Sequence, residues 1–160
     1  MKDELLKLLS ENARRSDKDL ATMLGVTEDE IKAAIKSLEK QGIIAGYKAV
    51  INWDMMDGSL VSAIVELKVI PKAGLGFEDI AERIVNYSQV ESVYLMSGGY
   101  DLNVVVKGKT LQDVARFVAS ELATMESVTS TTTHFVMCRY KELDTNLFSS
   151  NKDGRGLLFI

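Results

Sequence analysis

Apolar residues in the first forty positions recur at helical spacing. Leu5, Leu6, Leu8 and Leu9 share one broad side of a helix over residues 3–12. Leu20, Ala21, Met23 and Leu24 share one side of a shorter helix, for which Asp17 supplies the cap and Gly25 the stop. Thr27-Glu28-Asp29-Glu30 has the form of a capping box and opens a third helix with Ile31, Ala34, Ile35 and Leu38 at core spacing, closed by Gly42. Helix, short helix, tight turn and helix in this order predict a helix-turn-helix unit, and residues 43–51 add a β segment behind it.

Beyond residue 52 the period changes. Val61, Ala63, Val65, Leu67 and Val69 alternate with Ser62, Ile64, Glu66, Lys68 and Ile70, as in a strand with one apolar and one mixed face. Phe77, Ile80, Ala81, Ile84 and Val85 make an amphipathic helix after a loop over 71–76. Residues 90–97 and 102–107 are strands around the turn Gly98-Gly99-Tyr100-Asp101, whose composition suits a hairpin. A helix from Thr110, carrying Leu111, Val114, Ala115, Val118 and Leu122, leads to a last long strand over 128–140. The order is βαββαβ, which predicts a ferredoxin-like domain with both helices on one face of a four-stranded antiparallel sheet. Ile64, Ile70, Val93, Leu95 and Val105 are placed on the uncovered face, and apolar residues there call for a partner sheet, hence a homodimer. The fold class is therefore α+β. Its parts are a helix-turn-helix unit with its β segment over 1–52, a junction over 53–58, a ferredoxin-like domain over 59–142 and a tail over 143–160. The tail ends in Leu157-Leu158-Phe159-Ile160, either loosely held or docked on a neighbouring subunit.

Composition narrows the chemistry. With 46% hydrophobic and 26% charged residues, the 160-residue chain lies near the globular average. Every apolar run is too short to span a bilayer and the first residues lack the form of a signal peptide, so a soluble, cytoplasmic protein is expected. One cysteine, Cys138, excludes an internal disulfide and a thiolate metal cluster, and one histidine, His134, leaves few acid-base or metal options. These two residues share a face of the last predicted strand, with no third ligand apparent. No metal and no cofactor are expected. Gly108-Lys109-Thr110 imitates the end of a phosphate-binding loop, but the glycine required five residues earlier is Asn103, so Thr110 is read as a helix cap with Asp113 at the box position. Charge is less decisive: 19 basic against 23 acidic residues do not suggest a nucleic-acid binder. Residues 1–52 nevertheless balance at nine of each, and the net negative charge falls entirely in 53–160.

Several motifs together carry a family resemblance. Asn12-Ala13-Arg14-Arg15-Ser16, Asp19-Leu20-Ala21 with Leu24-Gly25-Val26-Thr27, and Leu38-Glu39-Lys40-Gln41-Gly42-Ile43-Ile44 with Gly46-Tyr47 resemble the Lrp/AsnC (leucine-responsive, feast/famine) transcription regulators. So do Ser97-Gly98-Gly99-Tyr100-Asp101 and the threonine-rich run from Val128 through Thr133. The resemblance covers residues 3–142 in order. It implies a DNA-binding winged helix, a hinge strand, and an effector-binding domain that dimerises and often assembles into octamers. It also implies double-stranded DNA and a small metabolite, usually an amino acid, as partners, and no enzymatic activity.

Each candidate residue has a second, structural reading. Lys32, Lys36 and Lys40 follow at i, i+4 and i+8 on the third helix and form one basic stripe suited to phosphates or base edges, or else a solvated face. Glu28 and Asp29 suit a helix dipole better than a phosphate. Arg14, Arg15, Ser16, Thr27 and Lys48 are the other expected DNA contacts, with Lys48 on the wing. Gly98, Gly99, Tyr100 and Asp101 match the family's effector loop, where free amides would meet a carboxylate and Asp101 an ammonium group; a tight hairpin explains the same residues. Thr131 and Thr133 alternate toward the family's pocket, or are simply good strand residues. Trp53 is expected to pack the hinge. The rivals are a scaffold or metabolite sensor that no longer reads DNA, and an enzyme of the siroheme decarboxylase plan, for which one histidine and few arginines are a poor complement. An acylphosphatase-like activity lacks its arginine in the 71–76 loop.

Overall fold

The structure is a computed structural model that describes residues 1–56, 58, 60–71 and 76–148. The interior of the 71–76 loop and the apolar end, Leu157 to Ile160, lie outside the described residues. Contacts cluster into two compact units, Met1–Ala49 and Val50–Ile160.

In the first unit, α1 (Lys2–Glu11), α2 (Asp17–Leu24) and α3 (Glu28–Lys40) enclose Leu5, Leu9, Leu20, Ala21, Ile31 and Leu38. Ser16, rather than Asp17, caps α2: its hydroxyl oxygen accepts the Asp19 amide at 3.1 Å, and Asp17 is the first helical residue. Gly25 ends α2 with φ +68°, where a side chain would be strained. The β segment expected over 43–51 has no ladder among the described residues. A strand exists by pairing, and here the backbone is committed elsewhere. The amides of Ile43 and Ile44 both donate to the Leu38 carbonyl, at 3.0 and 3.3 Å, Ile44 packs on the core, and the Tyr47 hydroxyl donates to the Glu39 carboxylate at 3.0 Å.

The second unit is built on a sheet with the order β2-β3-β1-β4, from β1 (Val61–Val69), β2 (Val90–Leu95), β3 (Leu102–Gly108) and β4 (Val128–Phe135), every neighbour antiparallel. Helices α4 (Glu78–Val85) and α5 (Leu111–Phe117), the latter continued by a π turn over Val118–Leu122, cover one face. Between them and the sheet lie Ala63, Val65, Leu67, Val69, Leu102, Val104, Val106, Ile80, Ile84, Val114 and Leu122. Thr110 caps α5 in a full box with Asp113, as expected from its position. The last strand stops at Phe135, short of the expected 140, so Cys138 is off the strand and shares no strand face with His134.

Two bulges decide which side chains face out. The β2–β3 register shifts between Val90 and Ser92, and the alternation along β2 is thereby reversed. Val93 and Leu95 stand opposite Val104 and Leu102, on the helix side, so the expectation that they lie on the open face is corrected; Ile70 falls beyond β1. The open face instead carries Ile64, Val105 and Tyr94 among Ser62, Glu66, Lys68, Asn103, Lys107, Ser130, Thr132 and His134, with His134 Nε2 3.4 Å from a Glu66 carboxylate oxygen. The second bulge, between Lys68 and Val69, makes Thr129 the extra residue of β4. After β4 a short hairpin, β5 (Lys141–Glu142) and β6 (Thr145–Asn146), turns through Leu143 and Asp144 with φ of 42° and 61°. A Lys141–Asp144 ion pair of 2.7 Å and stacked Tyr140 and Phe148 rings, 4.9 Å apart, hold it. Among the described residues no helix is long and apolar enough to cross a membrane.

Gly108 ends β3 where a Cβ would meet Val114 Cγ2 at 2.9 Å and the Val114 backbone nitrogen at 3.3 Å. Gly108→Ala is expected to destabilise the second unit by about 1–3 kcal/mol through overpacking. Gly99→Ala, whose Cβ would meet nothing within 4 Å, is expected to stay within about 0.5 kcal/mol. Paired urea titrations of the two variants check both values.

Candidate nucleic-acid interface and effector loop

The exposed side of α3 is defined by its opposite. Ile31 and Leu38 are buried and Ala34 and Ile35 half-buried, which turns Lys32, Lys36, Lys40 and Ala33 outward. The three lysines climb the helix at about 6 Å intervals. Lys36 and Lys40 have no ion pair among the described residues, whereas Lys32 Nζ lies 3.9 Å from Asp29. The amino end of α3 is locked: the Glu30 amide donates to Thr27 Oγ1 at 3.3 Å, and the Glu30 carboxylate accepts the Thr27 amide and hydroxyl, each at 2.8 Å. The Thr27 amide, and secondly its hydroxyl, hold the Glu30 carboxyl below its ordinary pKa. The box therefore contributes fully above the usual carboxylate range and is lost as pH falls through the lowered value. At the other end, burial first and the Glu39 carboxylate second raise the Tyr47 phenol above its ordinary value.

Not all the predicted contacts are equally available. The single hydroxyl proton of Thr27 is given to Glu30, and that of Ser16 to the Asp19 carboxylate at 2.6 Å. Arg15 is held by Glu11 at 3.0 Å and by the Met23 sulfur at 3.3 Å, with its Nε enclosed and without a partner. Arg14, Lys36, Lys40 and Lys48 are exposed, and no other side chain claims their charges among the described residues. The acceptor-poor, cation-bearing side of this unit is thus narrower than the sequence suggested.

In the second unit, Gly98 to Asp101 form the turn between β2 and β3, closed by a 2.8 Å hydrogen bond from the Met96 amide to the Asp101 carbonyl. Gly98 has φ +150°, a conformation in which a side chain would be strained. Asp101 reaches past its own turn. Its amide donates to the Leu67 carbonyl at 2.9 Å, and its carboxylate accepts the Val69 amide at 2.7 Å, so it clamps the loop to the end of β1, where the β1–β4 register breaks. One carboxylate oxygen remains for another partner. The Tyr100 hydroxyl accepts from the Asn103 amide at 3.1 Å. Thr131 pairs with Leu67 from the other side of β1, which puts it about two strand spacings, some 10 Å, from Asp101; Thr133 pairs with Val65, one step farther. Both threonines are half-buried on the helix side of an edge strand. The sequence missed Thr129, whose hydroxyl donates to the Lys68 carbonyl at 3.2 Å. Only a bulge puts it there, and residue alternation carries no sign of a bulge.

Residues 62–145 match the Lrp/AsnC ligand binding domain and residues 4–45 a winged helix-turn-helix DNA-binding domain. The chain belongs to the Lrp/AsnC family. The family is one of transcriptional regulators, not enzymes. The uncharacterized HTH-type transcriptional regulator YugG of Bacillus subtilis is 46% identical over 156 residues, covering 97% of this chain and 93% of its own. Among solved structures, that of PH0061 superposes with a TM-score of 0.76 at 25% identity, covering 88% of this chain and 93% of its own. That of the Neisseria meningitidis transcriptional regulator NMB0573 in complex with L-Met gives 0.69 at 21%, covering 88% and 90%. The Lrp/AsnC assignment agrees with the two-unit division and with the ferredoxin-like strand order.

The Asp101 clamp is measurable. Asp101→Ala leaves the Val69 amide without its acceptor and is expected to cost roughly 1–2 kcal/mol in urea titrations, while Asp101→Asn, which keeps a carbonyl oxygen there, loses less than half of that.

Proposed function

We propose that this chain is a sequence-specific DNA-binding regulator whose α3 enters the major groove and whose sheet domain binds a small metabolite, an amino acid being the first class to test. The observation that carries the DNA reading is the outward lysine stripe on a helix locked at its amino end by the Thr27–Glu30 box and tied at its other end by Tyr47. Lys32, Lys36, Lys40, Lys48 and Arg14 meet phosphates and base edges; Ser16, Thr27 and Arg15 act by holding α2, α3 and the turn before α2 in place. The metabolite reading is supported by the free oxygen of Asp101, the glycine amides beside it and Thr131 across β1. The L-Met complex of the Neisseria relative supports an amino acid. Few cations per protomer mean weak binding by one copy, so useful affinity requires several half-sites engaged together. A homodimer through the open sheet face, centred on Ile64, Val105 and Tyr94, and an octamer built from four such dimers supply them. Ligand occupancy favours one arrangement of copies and so changes the spacing of the α3 helices. Such a protein works in the cytoplasm.

A second reading, a sensor or scaffold without specific DNA binding, is favoured by one observation: Asp29 shares the lysine face and sits 3.9 Å from Lys32. Titration of the protein against its own upstream DNA in increasing salt, with and without pooled amino acids, separates the two. Lys32→Ala with Lys36→Ala is expected to weaken binding and lower the salt slope by about two; unchanged affinity would overturn the DNA reading. Ile64→Lys is expected to leave the fold intact and shift sedimentation from dimer to monomer, and an unchanged dimer would move the interface off the open face.

A further inference from the structure

The outward face of α3 carries one charge of the wrong sign for a DNA backbone. Counted at about 100° per residue from the fully buried Ile31, Asp29 points about 160° away, Lys36 about 140° and Lys40 about 180°. Asp29 therefore stands in the middle of the lysine face and in the first turn of the helix, the part from which this motif contacts base edges. The other two acidic residues of that turn do not. Glu28 lies about 60° from Ile31, toward the packed side, and the Glu30 carboxylate is committed to the Thr27 amide and hydroxyl. The Asp29 side chain is 97% exposed, and its one partner among the described residues, Lys32 Nζ, lies 3.9 Å away. That separation is too long for a hydrogen bond, and Lys32 is itself more than half exposed, so neither group is used up by the other.

We propose that Asp29 determines the sequence specificity of the DNA interface by selecting cytosine, with Lys32 on the guanine of the same base pair. The inference rests on the DNA reading above and adds to it which base the helix chooses. A carboxylate only accepts hydrogen bonds, and phosphates repel it, so it is admitted to a duplex only where the groove presents a donor. The major groove presents two, the N4 amine of cytosine and the N6 amine of adenine. Adenine N6 lies between two acceptors, its own N7 and the thymine O4, which repel a carboxylate from both sides. Cytosine N4 has an acceptor on one side only, O6 of the paired guanine, with N7 beyond it. An ammonium group satisfies those two. N4 and O6 are hydrogen-bonded to each other across the pair at about 2.9 Å, so a carboxylate and an ammonium group 3.9 Å apart match the edge of one C·G pair in order and, to within about 1 Å, in spacing. The Thr27–Glu30 box fixes the turn from which Asp29 projects, and Ala33, one turn on, is too short to hold the duplex away from it.

The experiment lets the full chain, Asp29→Ala, Asp29→Asn and Glu28→Ala each select from a pool of randomised duplexes at one salt concentration, with bound and unbound sequences counted. Expected from the parent chain is a motif with cytosine at one position of each half-site, where any other base pair weakens binding about tenfold. Asp29→Ala loses the preference at that position alone and binds unrelated duplexes more tightly, because a negative charge no longer faces the phosphates. Asp29→Asn moves the preference toward adenine, which an amide reads through N6 and N7. Glu28→Ala removes a charge from the same turn and leaves the motif unchanged. A motif that keeps its cytosine in both Asp29 variants overturns the inference and leaves the DNA reading standing. Loss of the cytosine in Glu28→Ala as well would make the effect one of helix charge and overturn it too. A parent chain that enriches no sequence overturns both readings.

Discussion

The second unit depends on a single strand with residues buried on one side. Ala63, Val65, Leu67 and Val69 of β1 are all but removed from solvent, and β1 lies between β3 and β4, so its alternation sets the faces of both neighbours. A shift of one residue would carry four apolar side chains from the helix-covered core to the open face, at about 1.5–3 kcal/mol for each valine or leucine exposed and less for Ala63. That penalty holds the register, and the register in turn sets what each end of β1 presents. At one end Leu67 and Val69 offer backbone groups to Asp101; at the other Ser62 offers a hydroxyl to Arg139. Both ends of this best-buried element thus anchor polar groups from segments distant in sequence.

The first unit follows a different logic. Its core is small, and the placement of its lysine-bearing helix depends on polar locks at the helix ends. The Thr27–Glu30 box and the Tyr47–Glu39 bond fix α3 from outside the core. Such locks consume the groups they use. Ser16, Thr27 and Arg15 are polar, near the expected DNA surface, and already bonded within the protein. The cations left over are few, which makes assembly of several copies a physical requirement of tight DNA binding.

Much of this was legible in the residues. The helix periods, the two capping boxes, the Gly25 and Gly42 stops and the βαββαβ order are local patterns, set by interactions three or four residues apart or by strict alternation. What was not legible depends on bulges and on distant partners. The Val90/Ser92 shift reversed the sides of Val93 and Leu95, and nothing in the alternation of 90–97 announces it. Asp101 looks like a turn residue, and its bond to Val69 joins positions 32 apart. The segment over 43–51 has strand-forming residues but no partner among the described residues, and composition alone cannot supply one.

The hairpin over residues 141–146 has a consequence for the order in which the chain folds. Two-residue strands joined through Leu143 and Asp144 in the left-handed region form a turn that favours glycine and asparagine, and leucine there works against it. Such a hairpin does not nucleate itself. Its order comes from the Lys141–Asp144 pair, the Tyr140–Phe148 stack and the Asn52 amide on the Leu147 carbonyl. The last of these contacts spans 95 residues, so it exists only once residues 50–56 and the sheet are in place. The hairpin, and with it the contact that Arg139 makes with Ser62, is therefore expected to order late in folding and to open early in unfolding.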